Sequence, residues 1–312
     1  MKPGRLTGAE GMICKDILFD EIKAVCPAEK DAPMSQHTTF RTGGPADVLA
    51  APRNAEELLK LLAVCESAGV RCCVLGKGSN VLVKDEGFRG VIVVPGGDFC
   101  RIEMQGDVIR AGSAATLSEL YLFALKYSVG GFERLAGIPG TVGGAVRMNA
   151  GAYDSEIADV IVACTYVENG RIVTAPKELL ELSYRHSIFC DSEKRVIISA
   201  DFRLPEPGRD PDEIRAVFRD YSARRAASQP LSLPSAGSTF KRPEGHHASK
   251  LIDGCGLKGY TFGGAGVSEK HAGFIVNNGN ATSGDVLHVI EHVRQVVFDR
   301  TGVRLETEVE IL

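Results

Sequence analysis

The sequence predicts an α+β protein with more than one packed unit. Its 312 residues are enough for two or three units, and its 44% apolar content supplies ordinary globular cores. Helical and strand patterns follow one another in two stretches, residues 54–83 and residues 107–131. Both stretches are typical of α+β units, and we expect no internal repeat or low-complexity tract.

The first of these units begins with a helix over residues 54–69. Asn54 and Glu57 form a plausible capping box, and Gly69 stops the helix. The apolar stripe of this helix comprises Leu58, Leu61, Leu62 and Cys65. Short apolar runs predict the strands that follow, over residues 71–75, 81–83 and 90–94.

The second unit combines a strand with a helix whose start signals are Thr116 and Glu119. A hairpin is expected over residues 160–175, because Asn169-Gly170 tolerates positive φ at both turn positions. Three further elements are predicted: a strand over residues 195–204, and helices over residues 211–227 and 283–302. Alternating apolar and charged residues predict a final strand over residues 303–311.

Composition argues against several classes of protein. A formal net charge of −4 with mixed signs gives no basic footprint for nucleic acid. No segment approaches the roughly 18 apolar residues of a membrane span, and residues 1–19 lack the apolar core of a signal peptide. The nine cysteines are scattered without metal-ligand spacing, so no metal is expected. We therefore expect a cytoplasmic protein with reduced thiols.

Two glycine-rich runs indicate backbone that approaches a ligand closely. Gly76-Lys-Gly-Ser-Asn80 lies between two apolar strands and suits a phosphate cradle, although a simple tight turn explains it as well. Gly137-Ile-Pro-Gly-Thr-Val-Gly-Gly144, followed by Asn149-Ala-Gly-Ala-Tyr153, is harder to explain as a turn alone. Two amide-rich loops in one domain would suit a diphosphate where basic residues are scarce.

Seven sequence blocks resemble the motifs of the UDP-N-acetylenolpyruvoylglucosamine reductase family. Phe40-Arg-Thr-Gly-Gly44 and the two glycine runs resemble the flavin-binding motifs of that family in order and spacing. The later blocks are Tyr184-Arg-His-Ser187, Ser235-Ala-Gly-Ser-Thr-Phe-Lys-Arg-Pro243, Val267-Ser-Glu-Lys-His-Ala-Gly-Phe274 and Leu305-Glu-Thr-Glu-Val309. The resemblance covers residues 35–312, and the combination is far more specific than any one block.

The resemblance implies a two-lobed FAD-binding domain of the vanillyl-alcohol-oxidase (PCMH) type plus a smaller α+β C-terminal substrate domain. The implied division is an FAD-binding region at 1–227, split into lobes near residue 96, a substrate-binding domain at 228–294, and a C-terminal strand at 295–312 that returns to the active site. Neither glycine loop contains His or Cys, which favours noncovalent FAD. The cofactor-binding residues implied are Arg41, Gly76, Lys77, Gly78, Ser79, Asn80, Ser113, Pro139, Gly140, Thr141, Gly143, Gly144, Asn149, Gly151 and Ala152.

The resemblance also implies a reaction, in which NADPH reduces the flavin and the hydride then reaches UDP-N-acetylglucosamine enolpyruvate. By motif position Arg185 would hold the substrate carboxylate, Ser238 would protonate the carbanionic carbon, and Glu308 would orient the enol intermediate. Without the resemblance, a surface salt bridge, a turn hydroxyl and a solvated strand face would explain these three residues. An arginine fork suits a carboxylate, so lysine should be a poor replacement at position 185.

Residues for the substrate diphosphate are harder to choose. Lys241 and Arg242 adjoin Ser238, and the weaker candidates are Arg224, Arg225, Lys250 and Lys270. His246, His247 and His271 are interpreted as loop residues rather than nucleotide ligands. The short segment between Arg185 and Ser238 points to the subclass without the tyrosine lid loop, and the lack of a long apolar helical seam predicts a monomer.

Two rival functions are weighed against this one. An oxidase of the same flavin superfamily would share the glycine loops but would have no reason to carry Arg185, Ser238 and Glu308. A non-catalytic flavin or nucleotide binding module would not pass electrons from reduced flavin to an enolpyruvyl substrate.

Overall fold

The computed structural model describes the backbone of residues 9–312 and the side chains of residues 15–312, so the first eight residues of the predicted FAD-binding region lie outside it. The α-helices within this range are α1 (Ala9–Val25), α2 (Ala55–Ser67), α3 (Leu117–Lys126), α4 (Glu133–Ala136), α5 (Val142–Arg147), α6 (Pro211–Ser228), α7 (Ala248–Gly254) and α8 (Ser283–Thr301). None of them is long and apolar enough to cross a membrane.

The strands are short and numerous. They are β1 (Ala28–Pro33), β2 (Pro45–Ala50), β3 (Cys72–Val74), β4 (Val81–Leu82), β5 (Phe88–Val93), β6 (Ile102–Gln105), β7 (Val108–Gly112), β8 (Val129–Gly130), β9 (Gly151–Ala152), β10 (Ser155–Glu156), β11 (Ile161–Glu168), β12 (Arg171–Pro176), β13 (Val196–Arg203), β14 (Glu206–Pro207), β15 (Thr261–Phe262), β16 (Ala265–Val267), β17 (Ile275–Asn277) and β18 (Glu310–Ile311).

Three sheets organise the chain. The first has the order β1-β2-β5-β3, with β2 and β3 parallel to β5, and the second is an antiparallel sheet of order β12-β11-β13-β7-β6. The third is the small antiparallel sheet β15-β16-β17, against which α8 packs. The second and third sheets each contribute to a large buried apolar cluster, and the first sheet contributes to two others.

Local sequence signals are confirmed where they were strongest. Thr116 and Glu119 form a complete capping box at the start of α3. Asn169 and Gly170 join β11 to β12 with φ of 50° and 71°, as the hairpin prediction required. At α2 the Asn54 side chain accepts from the amide of Glu57, but the Glu57 carboxylate accepts from the amide of Arg53, so the predicted capping box is only half formed.

The predicted strand over residues 303–311 is wrong for most of its length. Only Glu310–Ile311 forms a strand, and it pairs in parallel with β4. The residues before Glu310 pair only briefly with another segment. Phe240 and Thr307 form an isolated bridge, which is flanked by one backbone hydrogen bond on each side. A continuous neighbour is needed for a long strand, and residues 239–241 do not provide one. The predicted boundary at residue 295 also falls inside α8.

The first glycine turn is fixed by close packing, which gives a test of the fold. Gly78 has φ of 61°, and a Cβ there would lie 2.2 Å from the carbonyl oxygen of His37. Gly106 has a similar φ of 62° but open space around it. We expect Gly106→Ala to cost roughly 1–2 kcal/mol from backbone strain alone. Gly78→Ala should cost a further roughly 1–3 kcal/mol from overpacking.

Urea unfolding of the wild type and the two variants measures these costs. Equal losses of stability in Gly78→Ala and Gly106→Ala would contradict the close packing of the first turn against His37.

Candidate active site

The two glycine turns pack against each other and line the same large cavity. A Cβ on Gly76 would lie 2.5 Å from Oγ1 of Thr141, and one on Gly140 would lie 4.0 Å from Oγ of Ser79. Thr141 caps α5, because its hydroxyl accepts from the amide of Gly144 at 3.3 Å. The turns therefore approach one another through residues with little or no side chain. Residues 76–80 donate no backbone amide hydrogen bond within the described structure, whereas the amides of Gly140, Val142 and Gly143 are already bonded to carbonyl groups of the protein.

Two adjoining cavities meet at these turns. The larger has a volume of about 1030 Å³ and the smaller about 660 Å³. Predicted cofactor residues that line one or both are Arg41, Gly76, Lys77, Gly78, Ser79, Asn80, Ser113, Pro139, Gly140, Thr141, Gly143, Gly144, Gly151 and Ala152. Asn149 lines neither: it is fully buried, and its side chain bonds to the carbonyl of Ser183 and the amide of Ala158.

The three predicted catalytic side chains line the larger cavity together. Arg185 Nε donates to Glu308 Oε1 at 2.5 Å, and its Nη2 lies 3.4 Å from the carbonyl oxygen of Gly151. Both side chains of this ion pair are largely buried, with 20% exposure for Arg185 and 14% for Glu308. Glu308 therefore does not lie on a solvated strand face, and Arg185 is not a surface residue.

Burial dominates the titration of Glu308. It raises the pKa of the carboxyl above the ordinary value of 4.5, and the neighbouring Arg185 guanidinium, which favours the charged form, does not reverse the shift. The site thus combines a fixed cation with a carboxyl that holds its proton to higher pH than a solvated glutamate.

Backbone hydrogen bonds hold Ser238 beside this pair. The amide of Glu308 donates to the carbonyl of Thr239 at 2.8 Å, and the amide of Thr239 donates to the carbonyl of Gly273 at the same distance. The Ser238 hydroxyl itself has only a long contact of 3.4 Å with the carbonyl of Phe240. It is therefore positioned by its neighbours and retains its proton for another acceptor.

None of the four residues predicted to bind the substrate diphosphate lines either cavity in the described part of the chain. Arg224 pairs with Asp220, Lys241 lies 3.7 Å from Glu306, and Lys270 donates to the carbonyl of Ala226. The amide of Arg242 donates to the hydroxyl of Tyr184. Their predicted contacts with a diphosphate stay predictions, and the geometry gives them no support.

Three residues that the sequence ranked low or missed do line the larger cavity. Arg225, a weaker candidate, is 9% exposed, donates to the carbonyl of Gly137 at 2.6 Å, and has a pKa lowered by burial. His271 accepts from the amide of Gly273 through Nδ1, as expected of a loop histidine. Arg147 was missed altogether; its only sequence signal is a basic residue three positions after the second glycine run.

The smaller cavity offers a test of whether FAD fits these residues. The Ser113 hydroxyl lines it and is buried without a hydrogen-bond partner in the described structure. Buried polar atoms are rarely left unpaired in native proteins, so this oxygen is ready for a polar ligand group. Together with the unbonded amides of the first turn, it fits a dinucleotide that extends through both cavities.

Family models match both halves of the chain. Residues 46–176 match the FAD binding domain, and residues 229–312 match the C-terminal domain of UDP-N-acetylenolpyruvoylglucosamine reductase. The predicted fold class, an FAD-binding domain of the vanillyl-alcohol-oxidase type with a smaller C-terminal domain, is confirmed by these matches.

Relatives match nearly the whole chain. The UDP-N-acetylenolpyruvoylglucosamine reductase of Clostridium botulinum is 46% identical over 297 residues, which cover 95% of this chain and 96% of the relative. The Clostridium perfringens enzyme of the same name is 48% identical over 283 residues, or 90% and 92% of the two chains. The crystal structure of the Thermus caldophilus reductase superimposes with a TM-score of 0.78 at 33% identity, covering 91% of this chain and 98% of that one. The chain belongs to the UDP-N-acetylenolpyruvoylglucosamine reductase family.

Proposed function

We propose that this chain reduces UDP-N-acetylglucosamine enolpyruvate to UDP-N-acetylmuramate in peptidoglycan precursor synthesis, with NADPH as electron donor and noncovalently bound FAD as carrier. The observation that carries the proposal is that Arg185, Ser238 and Glu308 line one cavity with both glycine turns. An oxidase or a simple flavin-binding module would need the turns but not this trio. We further propose a cytoplasmic monomer.

Two finer assignments belong to the same proposal. The segment between Arg185 and Ser238 contains only β13, β14, α6 and their connections, which suits the subclass without a tyrosine lid loop. For the domains, we propose an FAD-binding region that ends near residue 227 and a C-terminal domain that keeps α8 whole, so that only the segment after Thr301 returns to the active site.

The cofactor would be held by main-chain amides of the two turns and by the Ser113 hydroxyl. When bound, FAD supplies the hydride transfer that side chains alone cannot perform. The turns carry no cysteine or histidine, which supports noncovalent binding. The protein contributes orientation, exclusion of water and control of charge.

At the substrate end, Arg185 would bind the carboxylate of the enolpyruvyl group. Glu308 fixes its guanidinium, so the cation can stabilise negative charge that develops on the substrate. Glu308 would orient the enol intermediate, and burial raises the pKa of its carboxyl although the ion pair with Arg185 opposes that shift.

Ser238 would then deliver the final proton to carbon. A serine hydroxyl is a weak acid, but a carbanionic carbon is a strong base, and the transfer therefore needs only correct placement. A neutral donor also adds no charge to a cavity that already contains an arginine and a carboxyl group.

Replacing Ser238 separates the two half-reactions. We expect Ser238→Ala to leave the reduction of bound flavin by NADPH unchanged and to slow reoxidation by the enolpyruvyl substrate by roughly 10²–10⁴-fold, the usual contribution of general acid catalysis. Anaerobic stopped-flow absorbance of the flavin measures both steps. Ser232→Ala, in another serine of the same cavity, is the control. Wild-type reoxidation in Ser238→Ala would refute the role of Ser238, and a wild type that the substrate cannot reoxidise would refute the proposed reaction.

Gly144 tests the cofactor site. A Cβ there would meet only Oγ1 of Thr141 at 3.6 Å, so alanine fits the protein while it narrows the space at both cavities. We expect Gly144→Ala to weaken FAD binding about tenfold or more, without loss of apoprotein stability. Fluorescence titration with FAD and urea unfolding provide the two measurements. Gly254→Ala, in open space at the end of α7, is the control. Unchanged FAD affinity in Gly144→Ala would place the cofactor elsewhere.

Glu308 makes folding stability depend on pH. Its folded pKa lies above 4.5, so the folded protein keeps a proton that the unfolded chain releases. Stability from this group is fully present below about pH 4.5 and is lost as the pH rises through the folded pKa. We expect the folding stability of Glu308→Gln not to show this decline with rising pH. Urea unfolding over a pH series measures it against Glu306→Gln, whose side chain is 77% exposed in the native protein. Parallel pH curves for the two variants would show that Glu308 titrates normally.

A further inference from the structure

Arg147 occupies the junction between the two cavities. The residues that line both are Val74, Leu75, Gly76, Lys77, Thr141, Gly144, Arg147 and Glu310. This set includes residues from each glycine turn, so the junction is the place where both turns present their backbones. Arg147 is therefore within reach of a ligand in either cavity.

The Arg147 guanidinium is anchored on two sides. Its Nη2 and Nε donate to Oε1 of Glu310 at 2.9 and 3.2 Å, and its Nη1 donates to the carbonyl of Phe189. About a third of each side chain in this pair remains exposed, 31% for Arg147 and 35% for Glu310. The cation is therefore fixed in direction but not sealed from a ligand in the cavity.

We propose that Arg147 is a binding residue for the diphosphate of FAD, and that Glu310 orients it. The inference rests on the proposed function, in which FAD extends through both cavities. A diphosphate concentrates negative charge at one place, and an immobilised guanidinium binds phosphoryl oxygens by charge-assisted hydrogen bonds at little further entropic cost. Arg147 lies only three positions after the second glycine run, and the fold places it where that run meets the first one.

A purely structural ion pair is the competing explanation, since Arg147 and Glu310 also join α5 to β18. The two explanations differ in which ligands should lose affinity when Arg147 is replaced. A phosphate-binding arginine matters for ligands that carry a diphosphate and not for riboflavin. A structural pair matters equally for all ligands, and loss of either partner has the same effect.

The experiment measures the affinity of the apoprotein for FAD, ADP and riboflavin over a series of salt concentrations. We expect Arg147→Met to weaken FAD and ADP binding about tenfold, the loss of one charge-assisted contact, and to make the salt dependence of binding shallower. Riboflavin affinity should not change. Arg147→Lys should recover part of the loss, and Glu310→Gln should bind FAD and ADP within a few-fold of the wild type.

Arg110→Met is the matched control, because Arg110 pairs with Asp201 outside both cavities. Thermal unfolding of each apoprotein separates misfolding from weak binding, and Arg147→Lys and Glu310→Gln decide the question if Arg147→Met does not fold. Unchanged affinity for FAD and ADP in Arg147→Met, or equal losses for all three ligands in Arg147→Met and Glu310→Gln, would overturn the proposal. A wild type that binds no FAD would instead overturn the proposed function itself.

Discussion

The active site depends on how the last residues of the chain are tied to the first glycine turn. The Asn80 side chain donates to the carbonyl of Glu308 at 3.0 Å, the amide of Glu310 donates to the carbonyl of Asn80 at 2.9 Å, and β18 pairs with β4 just beyond the turn. Residues two apart in extended chain share a face, so both glutamates line the larger cavity while Val309 between them is buried. A turn that is suited to a cofactor thus also places carboxylates beside it.

Two ion pairs line the larger cavity. Arg147 lies in the segment that matches the FAD binding domain, Arg185 follows that segment, and the matched C-terminal domain supplies Glu308 and Glu310. An isolated charge at such a depth would be costly, whereas a paired one is tolerated. A ligand carboxylate or phosphate can then compete for a guanidinium that is already oriented. The pairs also link the two halves of the chain, so the site forms only when both are folded together.

Local signals in the sequence predicted those parts of the fold that local physics determines. The capping box of α3 and the Asn169-Gly170 hairpin depend on neighbours a few residues away. The motif resemblance located Arg185, Ser238 and Glu308. Arg147 could not be found in this way, because its orientation in the cavity depends on a hydrogen bond to Glu310, which lies 163 residues away in the sequence. Asn149 differs in that it lies within a glycine-rich block, but backbone groups already satisfy its side chain, and its contact with the cofactor stays a prediction.

The glutamates at positions 306, 308 and 310 show how position in the fold decides chemistry. In the sequence they are equivalent members of one alternating pattern. In the structure the Glu306 side chain is 77% exposed beside Lys241, Glu310 is 35% exposed beside Arg147, and Glu308 is 14% exposed beside Arg185. Solvent screens the first, the second can orient a cation, and the third is desolvated enough to keep its proton. Three identical carboxyl groups therefore acquire three different properties from the partner and the depth that the tertiary structure gives each one.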